Sequence, residues 1–115
     1  MGVERVTAVL PVADLRDAVA SWTTLLGVEA TFVDGDRWAQ FDVGPDRIAL
    51  AGTDRASDLA GVMVKVSDLP AARAAALAAG MAVGRIERGR HELRCLVRSA
   101  DGWPAILYGP RRDRA

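Results

Sequence analysis

The chain has 115 residues, half of them hydrophobic, and its 15 basic and 15 acidic side chains cancel. That length suits one domain with a real core, and the absent net charge removes the field that would gather nucleic acid or an anionic membrane. No apolar run in the sequence nears the roughly 20 residues of a membrane span, and the alternating amino terminus does not read as a signal peptide.

In chain order, Val6-Thr7-Ala8-Val9-Leu10 places a first strand over about 3–10, ended by Pro11. Asp14 is set to cap a helix, with Asp17 three residues on in capping-box position. Along that helix Leu15, Ala18, Val19, Trp22, Leu25 and Leu26 recur at helical spacing, which predicts one apolar face ending at Gly27. Three strands are expected next, over 28–34, 37–43 and 47–52, joined by the turns Asp34-Gly35-Asp36 and Gly44-Pro45-Asp46. Residues 54–58 are polar and patternless, so they read as a linker.

A strand over 61–66 then leads into a helix capped by Ser67 or Asp68, with Pro70 in its first turn and Gly80 as its stop. Strands over 82–88, 91–98 and 104–108 complete the chain, with turns at Arg88-Gly89-Arg90 and Asp101-Gly102. The lone Cys95 has no partner for an intramolecular disulfide, which suits a reducing cytoplasm. It lies in a strand-like run, where a buried structural thiol is the plain reading and a nucleophile the sharper one. The tail Arg111-Arg112-Asp113-Arg114 reads as a solvated terminus rather than a nucleic-acid patch. No nucleic-acid or membrane partner is expected.

The chain repeats itself. Val12-Ala13-Asp14-Leu15 and Val66-Ser67-Asp68-Leu69 lie 54 residues apart, and each sits between a β-like run and a helix that stops at a glycine. A period near half the chain length indicates duplication. Module one is expected over 1–53 and module two over 59–110, inside one domain of 1–115. Copies this short must pack together, which makes a cleft between them the expected place for a ligand.

Three segments resemble the vicinal oxygen chelate superfamily: Leu10-Pro11-Val12-Ala13-Asp14-Leu15, the helix end Leu25-Leu26-Gly27-Val28, and Ala100-Asp101-Gly102-Trp103-Pro104-Ala105-Ile106-Leu107-Tyr108. That group includes glyoxalase I, the bleomycin-resistance proteins, fosfomycin-resistance enzymes and extradiol dioxygenases. The resemblance implies an α+β fold of two tandem βαβββ modules that form a cupped mixed sheet, and a homodimer. It also implies four metal-ligand positions, on the first and last strand of each module, usually filled by His and Glu. Carried onto this chain they fall on Thr7, Ala49, Gly61 and Ile106. One weak hydroxyl, two apolar side chains and a glycine cannot bind a divalent cation well, so no metal and no cofactor is expected.

What remains is the cup. Strand alternation puts Thr7 and Val9 on the ligand-position face, with Gly61, Met63 and Lys65 in module two, while Val6, Ala8, Leu10, Val62, Val64 and Val66 point towards the helices. Ala49, Ile106 and Tyr108 belong to the cavity side, together with Trp38 and Gln40, and Trp103 stands just before the last strand. His91, the only histidine, is either an exposed turn residue or a ligand contact. Trp38 and Trp103 are open between ligand, core and dimer contacts, and Lys65, Arg94 and Arg98 between solvated charges and ligand partners. An apolar, tryptophan-lined cup suits a flat hydrophobic ligand.

Two functions follow. The first is a metal-free binding protein comparable to the bleomycin-resistance branch, sequestering an aromatic or hydrophobic natural product. The second is a metal-independent isomerase, epimerase or lyase that uses His91, Lys65, Tyr108 or Asp42 for proton transfer. A module that holds no small ligand is a third reading, favoured if bulky side chains fill the cup.

Overall fold

A computed structural model describes residues 2–89 and 91–111, so the expectations for Arg90, Arg112, Asp113 and Arg114 lie outside the described residues. The chain divides into two compact units, Thr7–Ala60 and Gly61–Ala115 together with Met1–Val6. The first strand, β1 (Val3–Pro11), contributes to both.

In the first unit β1 is followed by α1 (Leu15–Leu26), β2 (Phe32–Asp34), β3 (Trp38–Val43) and β4 (Asp46–Ala51). β4 returns parallel to β1, and β3 and β2 continue outward antiparallel. Helix α1 starts where Asp14 accepts the Asp17 N–H at 3.0 Å, and ends at Gly27, whose φ of 74° is cheap only for glycine. Its apolar residues Leu15, Ala18, Val19, Trp22 and Leu26 pack on Leu10, Ala39, Phe41, Ile48 and Leu50. Those sheet residues alternate along their strands, so the period-2 and period-3.6 patterns meet in one core. Leu25, expected on that face, is instead 70% exposed, at the margin of the apolar stripe.

The second unit repeats the plan with β5 (Gly61–Val66), α2 (Leu69–Ala78), β6 (Ala82–Val83), β7 (Glu87–Arg88), β8 (Glu92–Arg98) and β9 (Pro104–Pro110). β5 and β9 are parallel, β8 is antiparallel to β9, and both β6 and β7 pair with β8. Asp68 is the helix cap, accepting the Ala71 N–H at 3.1 Å. Leu69, Ala72 and Ala76 pack on Val64, Val66, Cys95, Val97 and Leu107. The opening of β1 belongs here too, with the Gly2 carbonyl accepting the Ser67 N–H at 2.9 Å.

Each unit thus carries one βαβββ module, in which the last strand lies parallel to the first. The architecture is α+β with mixed sheets. Two strands differ from expectation. Only 32–34 of the segment 28–34 pairs as strand, because Val28 and Ala30 turn into the α1 core instead. The segment 82–88 breaks into β6 and β7, since Val83 and Ile86, three residues apart, both enter the core. The Gly84 carbonyl between them accepts from Arg73 Nε at 2.7 Å and lies 3.3 Å from the Cys95 sulfur. Cys95 is buried, in keeping with a structural thiol. Val6 and Val62, expected under the helices, are 57% and 37% exposed.

Candidate functional site

In each module one sheet face is taken by its helix, and the candidate site residues lie on the other. In module one the pairing register sets Val9 beside Ala49, Ala49 beside Gln40, and Gln40 beside Phe32. The next row holds Pro11, Ala51, Trp38 and Asp34. Neighbouring strands are about 4.8 Å apart and successive same-face residues about 7 Å, so Val9, Trp38, Gln40 and Ala49 form one continuous patch. Thr7 shares Val9's face, two residues earlier on β1.

This face has a closed floor and an open margin. Thr7, Val9, Ala49 and Ala51 are buried, and none of them belongs to the helix-side core. Trp38, Gln40, Asp42 and Arg47 are half-buried. The Trp38 indole N–H donates to Gln40 Oε1 at 3.4 Å, which orients both side chains and leaves the Gln40 amide N–H groups as donors. Asp42 accepts from Arg47 Nε at 2.6 Å, from its Nη2 at 3.4 Å and from the Thr31 hydroxyl at 2.8 Å. A bidentate guanidinium–carboxylate pair is rigid as well as strong. The margin is thus an indole, an amide and an internally neutralised ion pair. Thr7 Oγ1 is buried with no hydrogen-bond partner.

Module two brings Met63 beside Ile106 and Ile106 beside Leu96, with Lys65, Tyr108, Arg94 and Glu87 in the next row. Ile106 is buried, while Met63 and Tyr108 are half-buried. Lys65 is exposed, 4.0 Å from Glu4. Trp103 and His91 stand apart from these rows. Trp103 is 65% exposed, in the loop before β9, where its N–H donates to Ser99 Oγ at 3.1 Å. Its exposure removes the core reading for this residue. His91 is exposed in the bend before β8, whose first residue, Glu92, pairs with Pro110. That is about 16 Å along the strand from the Ile106 row.

The four positions implied as metal ligands do not fit a divalent cation. Ala49 and Ile106 are buried carbon, and Thr7 presents one neutral hydroxyl. Gly61 has no room for a side chain, because a Cβ there would collide with the Pro104 carbonyl. Among the described residues no group of three His, Cys, Asp or Glu side chains could hold a metal ion.

Two features were not anticipated. Asp42 and Arg47 pair because Gly44 and Pro45 form the loop of a hairpin in which Val43 faces Asp46, so the residues one step further out must meet. That consequence of the turn was readable. Arg55, in the patternless linker, donates to the carbonyls of Gly52 at 2.8 Å, Val12 at 2.5 Å and Ala51 at 3.3 Å. No sequence signal marked it.

Compared by sequence, the chain matches no family model and no curated protein. Compared by structure, it superposes on a glyoxalase/bleomycin resistance protein/dioxygenase superfamily member from Vibrio splendidus 12B01, with TM-score 0.71 and 15% identity over 91% of this chain and 97% of that one. The fold is that of the vicinal oxygen chelate superfamily. Methylmalonyl-CoA epimerase from Mycobacterium tuberculosis shares this vicinal oxygen chelate fold, with TM-score 0.63 and 22% identity over 96% of this chain and 88% of that one. A chain described as NAD-dependent benzaldehyde dehydrogenase from Legionella pneumophila reaches TM-score 0.82 at 8% identity, over 93% of this chain and 100% of that one. At such identities the likeness is one of fold, and the chemistry of this vicinal oxygen chelate chain rests on its own side chains.

Proposed function

We propose that this chain is a metal-independent small-molecule binding protein of the glyoxalase/bleomycin-resistance type, taking up a planar or hydrophobic compound. The observation that carries the reading is the module-one face. There a half-buried indole, fixed by Gln40, borders a floor of Val9, Ala49 and Ala51, and the implied metal positions offer carbon. Tryptophan gives a large stacking area at little entropic cost. The second face, with Met63, Ile106 and Tyr108, extends the apolar surface available to a ligand. Trp103 offers its exposed ring either to the ligand or to a second copy of the chain, which we propose to be a homodimer in a cytoplasmic setting.

Trp38→Ala tests the assignment. Calorimetric titration with a panel of planar hydrophobic compounds is expected to show affinity reduced by about 1–3 kcal/mol, with the unfolding midpoint nearly kept. Unchanged affinity in a folded variant would remove Trp38 from the site.

A second reading is favoured by the epimerase among the structural neighbours. It is a metal-independent isomerase, epimerase or lyase acting on the same faces. Lys65 and Tyr108, level with one another on β5 and β9, would be its proton-transfer groups. Asp42, already bound by Arg47 and Thr31, suits that role less. Product formation from a bound compound separates this reading from sequestration.

A further inference from the structure

Thr7 is the one buried polar residue in a floor otherwise made of carbon, and its hydroxyl has no hydrogen-bond partner. Such a group costs about 1–3 kcal/mol in desolvation, and a valine would fill the same shape without that cost. On a strand the neighbouring backbone groups are committed to the ladder, so no local acceptor is at hand. The hydroxyl shares the face of Val9, away from the core under α1.

The surrounding chemistry selects what can meet it. A charged ligand group would be desolvated here against a single neutral donor, which is far costlier than an unmet hydroxyl. The nearest cation on this face, Arg47, is held in a bidentate pair by Asp42. A neutral acceptor oxygen carries no such penalty, and an O–H to carbonyl bond would satisfy Thr7. We infer that the Thr7 hydroxyl is a specificity-determining donor to a carbonyl oxygen on a planar, uncharged ligand, at a position where a metal-using relative would place a ligating side chain. This rests on the small-molecule reading above and narrows its ligand class to ketones and comparable neutral carbonyl compounds.

Matched probes separate the two claims: 9-fluorenone against fluorene, and 1-indanone against indane, titrated into the wild type, Thr7→Val and Thr7→Ser. The wild type and Thr7→Ser are expected to prefer each ketone over its hydrocarbon. Thr7→Val is expected to lose about threefold to tenfold in ketone affinity with hydrocarbon affinity unchanged, and to unfold at the same or a higher temperature without ligand. If Thr7→Val binds ketone and hydrocarbon as the wild type does, or if its unfolding temperature falls because the hydroxyl was structural, the inference is overturned and the binding reading stands. If the wild type binds none of the four compounds, the binding reading fails and takes the inference with it.

Discussion

Trp22 and Leu25 occupy the same helix, three residues apart, and the structure gives them opposite fates. Trp22 packs among Leu15, Phe41 and Leu50, whereas Leu25 is 70% exposed. Both are apolar and both fall on a helical spacing, so the sequence predicts a face without fixing its width. The width is set by how far the sheet extends beneath the helix. Trp22→Ala is therefore expected to lower stability by about 3 kcal/mol, the low end for a truncated core aromatic. Leu25→Ala should change it by less than about 0.5 kcal/mol. Chemical denaturation of the two variants measures both, and equal losses would mean that α1 docks differently.

At the scale of elements, the helices and most strands were legible. Asp14 and Asp68 announce their helices, and Thr7 and Val9 alternate with Ala8 and Leu10. Tertiary demands decided the rest. Val83 and Ile86 both reach the core and break a strand that local pattern would have kept whole. Arg55 shows the limit most clearly, because guanidinium bonds to carbonyls leave no periodic trace. It ties the linker to the ends of β1 and β4 through Val12, Ala51 and Gly52. Arg55→Ala should cost about 2 kcal/mol, since charge-assisted bonds to carbonyls are lost while half-buried acceptors stay behind. Arg55→Lys should restore only part of it, because an ammonium cannot span the carbonyls as a planar fork does. Thermal unfolding reads both, and full rescue by lysine would show that charge alone suffices.

For the whole molecule, the duplication carried the fold and the side chains carry the function. The candidate faces were legible because strand alternation sorts Val9, Ala49, Met63 and Ile106 from the helix side. The Asp42–Arg47 pair and the unmet Thr7 hydroxyl were not, because they depend on register and on burial. Exposed Trp103, at 65%, together with Val62 and Leu77, leaves apolar surface that a second copy would cover. Light scattering across the micromolar range is expected to give the mass of a dimer, and a monomer mass throughout would count against that assembly.

The central claim is binding without a metal, and one sample can decide it. Protein treated with a strong chelator and dialysed is assayed for zinc, nickel, iron and manganese, then titrated calorimetrically with planar hydrophobic ketones. The account predicts no stoichiometric metal and saturable binding equal to that of untreated protein. Binding that disappears with the chelator and returns on adding a divalent metal would contradict it.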